Sequence, residues 1–325
     1  MIQFFSSLRA RGPSSLILRA FAFAAGYVAL AAAPAAQASL RVLACEPEWA
    51  ALTQELGGDD VKIYVATHAL QDPHQIQARP SLIANARNAD LAVCTGAELE
   101  IGWMPVLLRQ SGNERIQAGS PGNFEAANFV TKLEVPSRVD RADGDVHAAG
   151  NPHIQTDPRN IAAVAAALAQ RLKEVDPDHA AQYQARLEHF NGRWTSAIAR
   201  WEKQGAPLRG VPVVVQHKAF PYLLNWLGMS EVATLEPKPG VEPSSGYLSE
   251  VLAKLQRLPA KMVLRAAYND GRSSEWLAAH AQIAAVVLPF TVGGDDQAKD
   301  LFALFDDTIN RLLVAQVAMQ KSVPK

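Results

Sequence analysis

Cysteine is nearly absent: Cys45 and Cys94 are the only two among 325 residues, and no CxxC spacing exists. That argues against a cysteine-built zinc site. Both cysteines close predicted strands, so in an oxidising compartment they would form one disulfide across a sheet; two buried thiols are the equal alternative. Charge of one sign is also missing. The formal net charge is −1 with no basic tail or patch, which argues against nucleic acid or an anionic membrane surface as the main partner. The chain carries neither an HExxH segment nor a GxSxG elbow, two common marks of hydrolases. It has no short internal repeat, and no low-complexity tract beyond a few alanines near the start.

What the chain does have begins with Arg9, Arg11 and Arg19 ahead of an apolar run from Ala20 to Ala33, followed by Ala36-Gln37-Ala38. This is the pattern of a secretory signal peptide over residues 1–38, cleaved after a small-residue site. The run is shorter than the ~20 apolar residues that span a bilayer. A lipid-anchor cysteine is not expected at Cys45, because Arg41 interrupts the apolar run and Cys45 reads as part of a strand. Secretion places the mature chain, from Ser39, in the periplasm. It is long enough for two domains of ordinary size.

Strand-like runs at Leu40 to Cys45, Val61 to Ala66 and Asp90 to Thr95 alternate with helix-like stretches at Pro47 to Leu56 and Ser81 to Asn88. This alternation predicts a parallel sheet wrapped by helices. A second α/β unit follows, with strands at Val211 to Gln216, Met262 to Ala266 and Ala284 to Pro289. Its helices are expected at Ala219 to Leu227, Ser244 to Leu258, Ser274 to His280 and Asp295 to Val314. Between the units, apolar residues recur at Leu187, Phe190, Trp194, Ile198 and Trp201 with spacings of three and four. With Asp176 as N-cap and Pro177 in the first turn, they predict one long helix to about Gln204, roughly 42 Å in length. The fold class is therefore α/β, with two Rossmann-like lobes on parallel sheets joined by one rigid helix. The expected division is an N-terminal lobe over 39–175, a connecting helix over 176–206 and a C-terminal lobe over 207–325.

Three histidines stand in similar contexts: Gln71-Asp72-Pro73-His74, Asn151-Pro152-His153-Ile154 and Val213-Val214-Val215-Gln216-His217. Each ends an apolar or proline-bracketed segment at the edge of an α/β unit. A neutral imidazole on a rigid turn suits zinc, and three from separate segments close most of a tetrahedral shell. His179 and His189 fall on the long helix and read as solvated, and His280 reads as a surface residue. Trp103, Trp194, Trp201, Trp226 and Trp276 lie on helical patterns and read as packing residues. Asp157-Pro158 and Asp176-Pro177 are helix starts whose carboxylates would cap.

The stretch from Asp72-Pro73-His74 through Arg79-Pro80-Ser81, Ala89-Asp90-Leu91 and Gly96-Ala97-Glu98-Leu99-Glu100 resembles the first-lobe signature of the periplasmic zinc- and manganese-binding proteins of ABC importers. Asn151-Pro152-His153-Ile154 with Asp157-Pro158 resembles that family's second histidine motif, and His217-Lys218-Ala219-Phe220 with Tyr222 its third. The resemblance covers nearly the whole mature chain with the motifs in order. It implies a cluster A-I solute-binding fold with a metal in the cleft, held by His74, His153 and His217. A histidine at the third position is similar to the zinc-binding branch, the high-affinity zinc uptake system, because manganese-binding relatives tend to place a carboxylate there.

Many relatives supply a fourth ligand, an aspartate, after the last strand. Here Leu288-Pro289-Phe290-Thr291-Val292-Gly293-Gly294 reaches no acidic residue before Asp295. His147 is the preferred replacement. It sits between Gly144 and Gly150, where zinc-binding relatives carry a longer histidine-rich loop, and the glycines would let the loop fold back. Water, Asp295 or Asp296 is the alternative, and His68 is weaker still. The proline-rich stretch Glu236 to Pro243 is expected to be a turn or a contact for the permease.

The expected function is capture of Zn(II) and delivery to an ABC permease in the inner membrane, without catalysis. Alternatives are a manganese-binding importer component and a secreted zinc-dependent hydrolase, which would need an open coordination position and a general base. The expected state is a monomer, with a periplasmic zinc chaperone as a further candidate partner.

Overall fold

The computed structural model describes Met1 and residues 39–138 and 147–321; the expected signal peptide and Gly144 lie outside these described residues. Strands Leu40–Ala44 (β1), Val61–Val65 (β2), Leu91–Cys94 (β3) and Asn123–Glu125 (β4) form one parallel sheet in the order β2-β1-β3-β4. Strands Pro212–Val215 (β5), Ser230–Thr234 (β6), Met262–Ala266 (β7) and Ala284–Leu288 (β8) form a second in the same plan, β6-β5-β7-β8. The inner strands β1, β3, β5 and β7 are apolar and buried along most of their length, as sheets covered on both faces require.

Periodicity did not reveal β4 and β6. The first has three residues, and the second exposes Ser230 and Glu231 at a sheet edge, so neither carries an apolar run.

The helices are Pro47–Gly57 (α1), Pro80–Asn88 (α2), Met104–Ser111 (α3), Pro158–Val175 (α4), Ala180–Gly205 (α5), Pro221–Leu227 (α6), Ser245–Leu255 (α7), Arg272–Ala281 (α8) and Leu301–Lys321 (α9). Proline opens α1, α2, α4 and α6, where its missing N–H costs nothing. The last helix was expected from Asp295. It starts at Leu301 instead, because Asp295 accepts the N–H groups of Gln297 and Ala298 in a turn ahead of it.

Helix α5 runs 26 residues between 3-10 turns at Pro177–His179 and Ala206–Leu208, about 39 Å at 1.5 Å per residue. It buries Tyr183, Leu187, Phe190, Trp194, Ala197 and Trp201, while Ile198 is half-buried. Trp194 and Trp201 meet Phe302 and Phe305 of α9, with Trp194–Phe302 ring centroids 4.8 Å apart. On the side of α1, Arg193 pairs with Glu55. The long helix is thus clamped to an element of each half.

Two expectations about its start are corrected. Asp176 makes no backbone cap; its carboxylate accepts from the Tyr183 hydroxyl and from His179 Nδ1. His179 is not solvated, because its side chain lies between Asp176 at 2.8 Å and Asp60 at 3.6 Å. The 3-10 turn ahead of α5 sets this residue inward onto the first half, a direction that spacing along one helix does not reveal. His189 and His280 are exposed as expected.

Cys45 and Cys94 form a disulfide with Cα atoms 4.8 Å apart. They follow or end β1 and β3, neighbours in the sheet.

Candidate metal centre

The first sheet leads to His74 through the turn after β2. Pro73 fixes that turn, and the indole Nε1–H of buried Trp103 donates to its carbonyl at 2.9 Å. Gly102 passes so close that an added Cβ would lie 3.0 Å from the His74 carbonyl oxygen. Asp72 accepts from both the backbone N–H and the ring Nδ1–H of His74, the latter at 2.7 Å. Burial works most strongly on the Asp72 carboxyl and pushes it up, but the hydrogen bonds and charge of His74, with that of His217, together outweigh it and hold the group below its usual range. A carboxylate only accepts, so in the neutral form of His74 the ring proton sits on Nδ1 and the lone pair on Nε2.

His153 stands in an Asx turn, its N–H donating to Asn151 Oδ1 at 3.0 Å. Asn151 in turn donates to the Lys218 carbonyl, and its own carbonyl accepts from the Tyr222 hydroxyl at 2.7 Å. These bonds bring the turn against the segment that follows β5. There His217 lies two residues past the strand, and its Nδ1–H donates to Glu236 Oε2 at 2.7 Å. Again the lone pair is left on Nε2.

The three side chains converge. Ring centroids are 5.3 Å apart for His74–His153, 5.5 Å for His74–His217 and 5.3 Å for His153–His217, and one nitrogen from each ring lies within 4.8 Å of the others. His153 Nε2 and His217 Nε2 are 3.2 Å apart. Two nitrogens on a tetrahedral zinc with Zn–N of about 2.0–2.1 Å would stand about 3.3 Å apart. The fit is close.

His147 stacks on the His74 ring at 5.3 Å between centroids. The Nε2 atoms of His74 and His147 are buried with no hydrogen-bond partner, as is His153 Nδ1. Buried polar atoms without partners are uncommon and call for an explanation. Burial depresses the His147 pKa to about 4, with the nearby His74 and His217 charges adding to it, and burial drives His153 well below its ordinary value. Both are neutral at pH 7, the form a cation needs.

The other acidic and histidine candidates are placed elsewhere. Asp295 accepts two backbone N–H groups and pairs with Arg311 at 2.6 Å, so its carboxylate is engaged away from the histidines. Asp296 and His68 are exposed. Phe290 follows β8 instead of an acid; with φ of 66° it sets its ring edge-on to His153 at 5.4 Å.

Sequence reasoning missed the orienting roles of Asp72 and Glu236 and the support from Trp103. Asp72 was visible two residues before His74. Nothing local linked Glu236 to His217, 19 residues earlier.

Two equally ordered parallel sheets, joined by a clamped helix and carrying imidazoles where the strand-end turns meet, define a two-lobed solute-binding protein of the metal-binding class. Residues 42–315 match the family described as "Zinc-uptake complex component A periplasmic", and the chain belongs to that family.

The high-affinity zinc uptake system protein ZnuA of Paracoccus denitrificans (strain Pd 1222) is 25% identical over 272 residues, covering 74% of this chain and 78% of that protein. The protein of the same name from Brucella abortus (strain 2308) is 28% identical over 111 residues, 34% of this chain and 33% of the relative, so the match spans about a third of that relative's length. In structure, a crystal form of ZnuA superposes with a TM-score of 0.69 at 23% identity, over 84% of this chain and 99% of the other. No helix among the described residues is long and apolar enough to cross a membrane.

Proposed function

We propose that this protein captures Zn(II) in the cleft between its two lobes, residues 39–175 and 207–325, and hands it to an ABC permease in the inner membrane. The reading takes residues 1–38 as a cleaved signal and the periplasm as the site of action. His74, His153, His217 and His147 are the ligands. The observation that carries it is the convergence of imidazoles whose ring nitrogens are buried, unpartnered or spaced for a tetrahedral ion. An all-nitrogen set suits zinc, whereas manganese favours oxygen donors. Asp72 and Glu236 fix the tautomers of His74 and His217, so their Nε2 lone pairs already face the ion.

Metal analysis of the purified protein, followed by competition of zinc against manganese, tests the proposal. One tightly held zinc that manganese does not displace is expected. Preference for manganese would overturn the zinc reading, and chelator-sensitive turnover of an ester or peptide would point to a hydrolase. Zinc dissociation from His147→Ala and Asp295→Ala separates the fourth ligands: acceleration is expected only in the first.

A further inference from the structure

The turn after β3 has a backbone that the sheet does not require. Gly96, Ala97 and Glu98 all adopt positive φ, at 75°, 50° and 68°, and two of them carry side chains. A non-glycine residue in the left-handed region costs of order 1 kcal/mol or more and persists where its surroundings over-determine it. Here they do. Buried Glu100 accepts the N–H groups of Thr95 at 2.8 Å and Gly96 at 3.1 Å, and the Cys45–Cys94 disulfide anchors the strand just before them.

The strained turn presents Glu98 to the segment that carries His147. Its carboxylate accepts the N–H of Ala148, and its backbone is a hydrogen-bond partner of the His147 ring. His147 Nε2 is then the free ring atom, buried and without a partner. Behind this contact lies a cavity of about 350 Å³ lined by Glu98, Ile101, Met104, Glu125, Lys132 and Ala149, so hydrogen bonds rather than filled packing hold this side of the turn.

We infer that Glu98 is a positioning residue for the metal site: it grips the His147 turn from both its carboxylate and its backbone, and so aims His147 Nε2 at the ion held by His74, His153 and His217. The inference rests on the proposed zinc reading with His147 as fourth ligand. Backbone strain in the first lobe is thereby used to bring a ligand to a centre that the other three histidines form without it.

Zinc release from five variants of the full mature chain tests this, with the visible spectrum of the cobalt-substituted protein as a second readout. Glu98→Ala should accelerate release about 10-fold, the size typical for groups that orient a metal ligand, and should shift the cobalt spectrum toward that of His147→Ala. Glu98→Gln retains an acceptor oxygen for Ala148 N–H and should release zinc near the wild-type rate. Glu98→Gly relieves the positive φ while removing the carboxylate, so it should fold at least as stably as the wild type and still release zinc faster.

In the Glu98→Ala/His147→Ala double variant, release should be no faster than in His147→Ala alone. A wild-type rate in Glu98→Ala beside fast release in His147→Ala overturns the positioning role and leaves the ligand standing. A wild-type rate in His147→Ala removes the ligand itself, and the inference with it. Multiplied effects in the double variant would show that Glu98 acts elsewhere.

Discussion

The two sheets share strand order and direction, yet two residues past the first strand of each they carry opposite chemistry. In the second half that residue is His217, at the histidine cluster and oriented by Glu236. In the first half it is Glu46, which is buried beside Glu48 and Glu100. Burial, then the neighbouring Glu100 and Glu48 carboxyls, drive the Glu46 pKa well above the carboxylate range, and its Oε1 finds no partner. Equivalent backbone positions therefore became a histidine of the candidate metal centre in one half and a buried acid held toward its neutral form in the other. The surrounding charge and solvent, not the strand, decide which. The first half instead sends its histidine, His74, from the longer turn after β2, braced by Trp103 and Asp72.

Breaking the mount common to both halves should have the largest effect. Ile198→Pro deletes a backbone hydrogen bond in the middle of α5 and should cost ~3 kcal/mol or more. Thermal unfolding checks it, and an unaltered melting curve would mean that α5 does not couple the halves. Next comes the direct contrast. His217→Ala should weaken zinc binding by about 100-fold or more, at or above the upper end for groups that merely orient a ligand. Glu46→Gln should leave affinity unchanged in the same competition titration. Equal losses would erase the distinction between the two positions.

The buried acids sharpen the comparison through pH. Glu48 and Glu100 are raised from 4.5 to about 7, chiefly by burial. The stability they contribute is complete below pH 4.5 and lost as pH rises through about 7. Glu48→Gln, which keeps an acceptor for the Thr291 hydroxyl, should raise the stability of the metal-free protein above pH 7 by on the order of 2 kcal/mol. His147 runs the other way. With its pKa lowered from 6.5 to about 4, its contribution is present above pH 6.5 and lost as pH falls through about 4. Denaturant titrations of Glu48→Gln and His147→Ala across pH 4 to 8 should therefore lose opposite slopes.

The smallest effect is expected from the orienting carboxylates. Glu236→Ala frees the His217 tautomer and also releases the N–H of Gly240, which Glu236 Oε2 accepts at 2.8 Å. A loss of about 10-fold in zinc affinity is expected, and Asp72→Ala should act similarly on His74. Calorimetric zinc titration at pH 7 measures both.

Much of this was legible in the chain. Apolar runs marked β1, β3, β5 and β7, because a strand buried on both faces needs several apolar residues in succession, and β-branched and apolar residues marked the edge strands β2 and β8. The spacing from Leu187 to Trp201 marked α5 for the matching reason on a helix. Short polar β4 and β6 escaped, since pairing rather than composition makes them strands. The histidine contexts around Pro73, Pro152 and the end of β5 marked three candidate ligands, and the glycine-flanked His147 marked the fourth.

By itself, then, the sequence determined most of the strands and helices, β4 and β6 excepted, and which imidazoles stand on stiff turns. Those properties depend on neighbours a few residues away. Tertiary structure alone decided that His153 Nε2 and His217 Nε2 lie 3.2 Å apart, that Glu236 orients a histidine 19 residues upstream, and that His179 faces Asp60 rather than water. It also turned Glu46 and Glu48 inward and gave Glu98 its grip on the His147 turn. Distances and burial of this kind come from packing distant segments together, and charge and proton affinity follow from burial and from those distances.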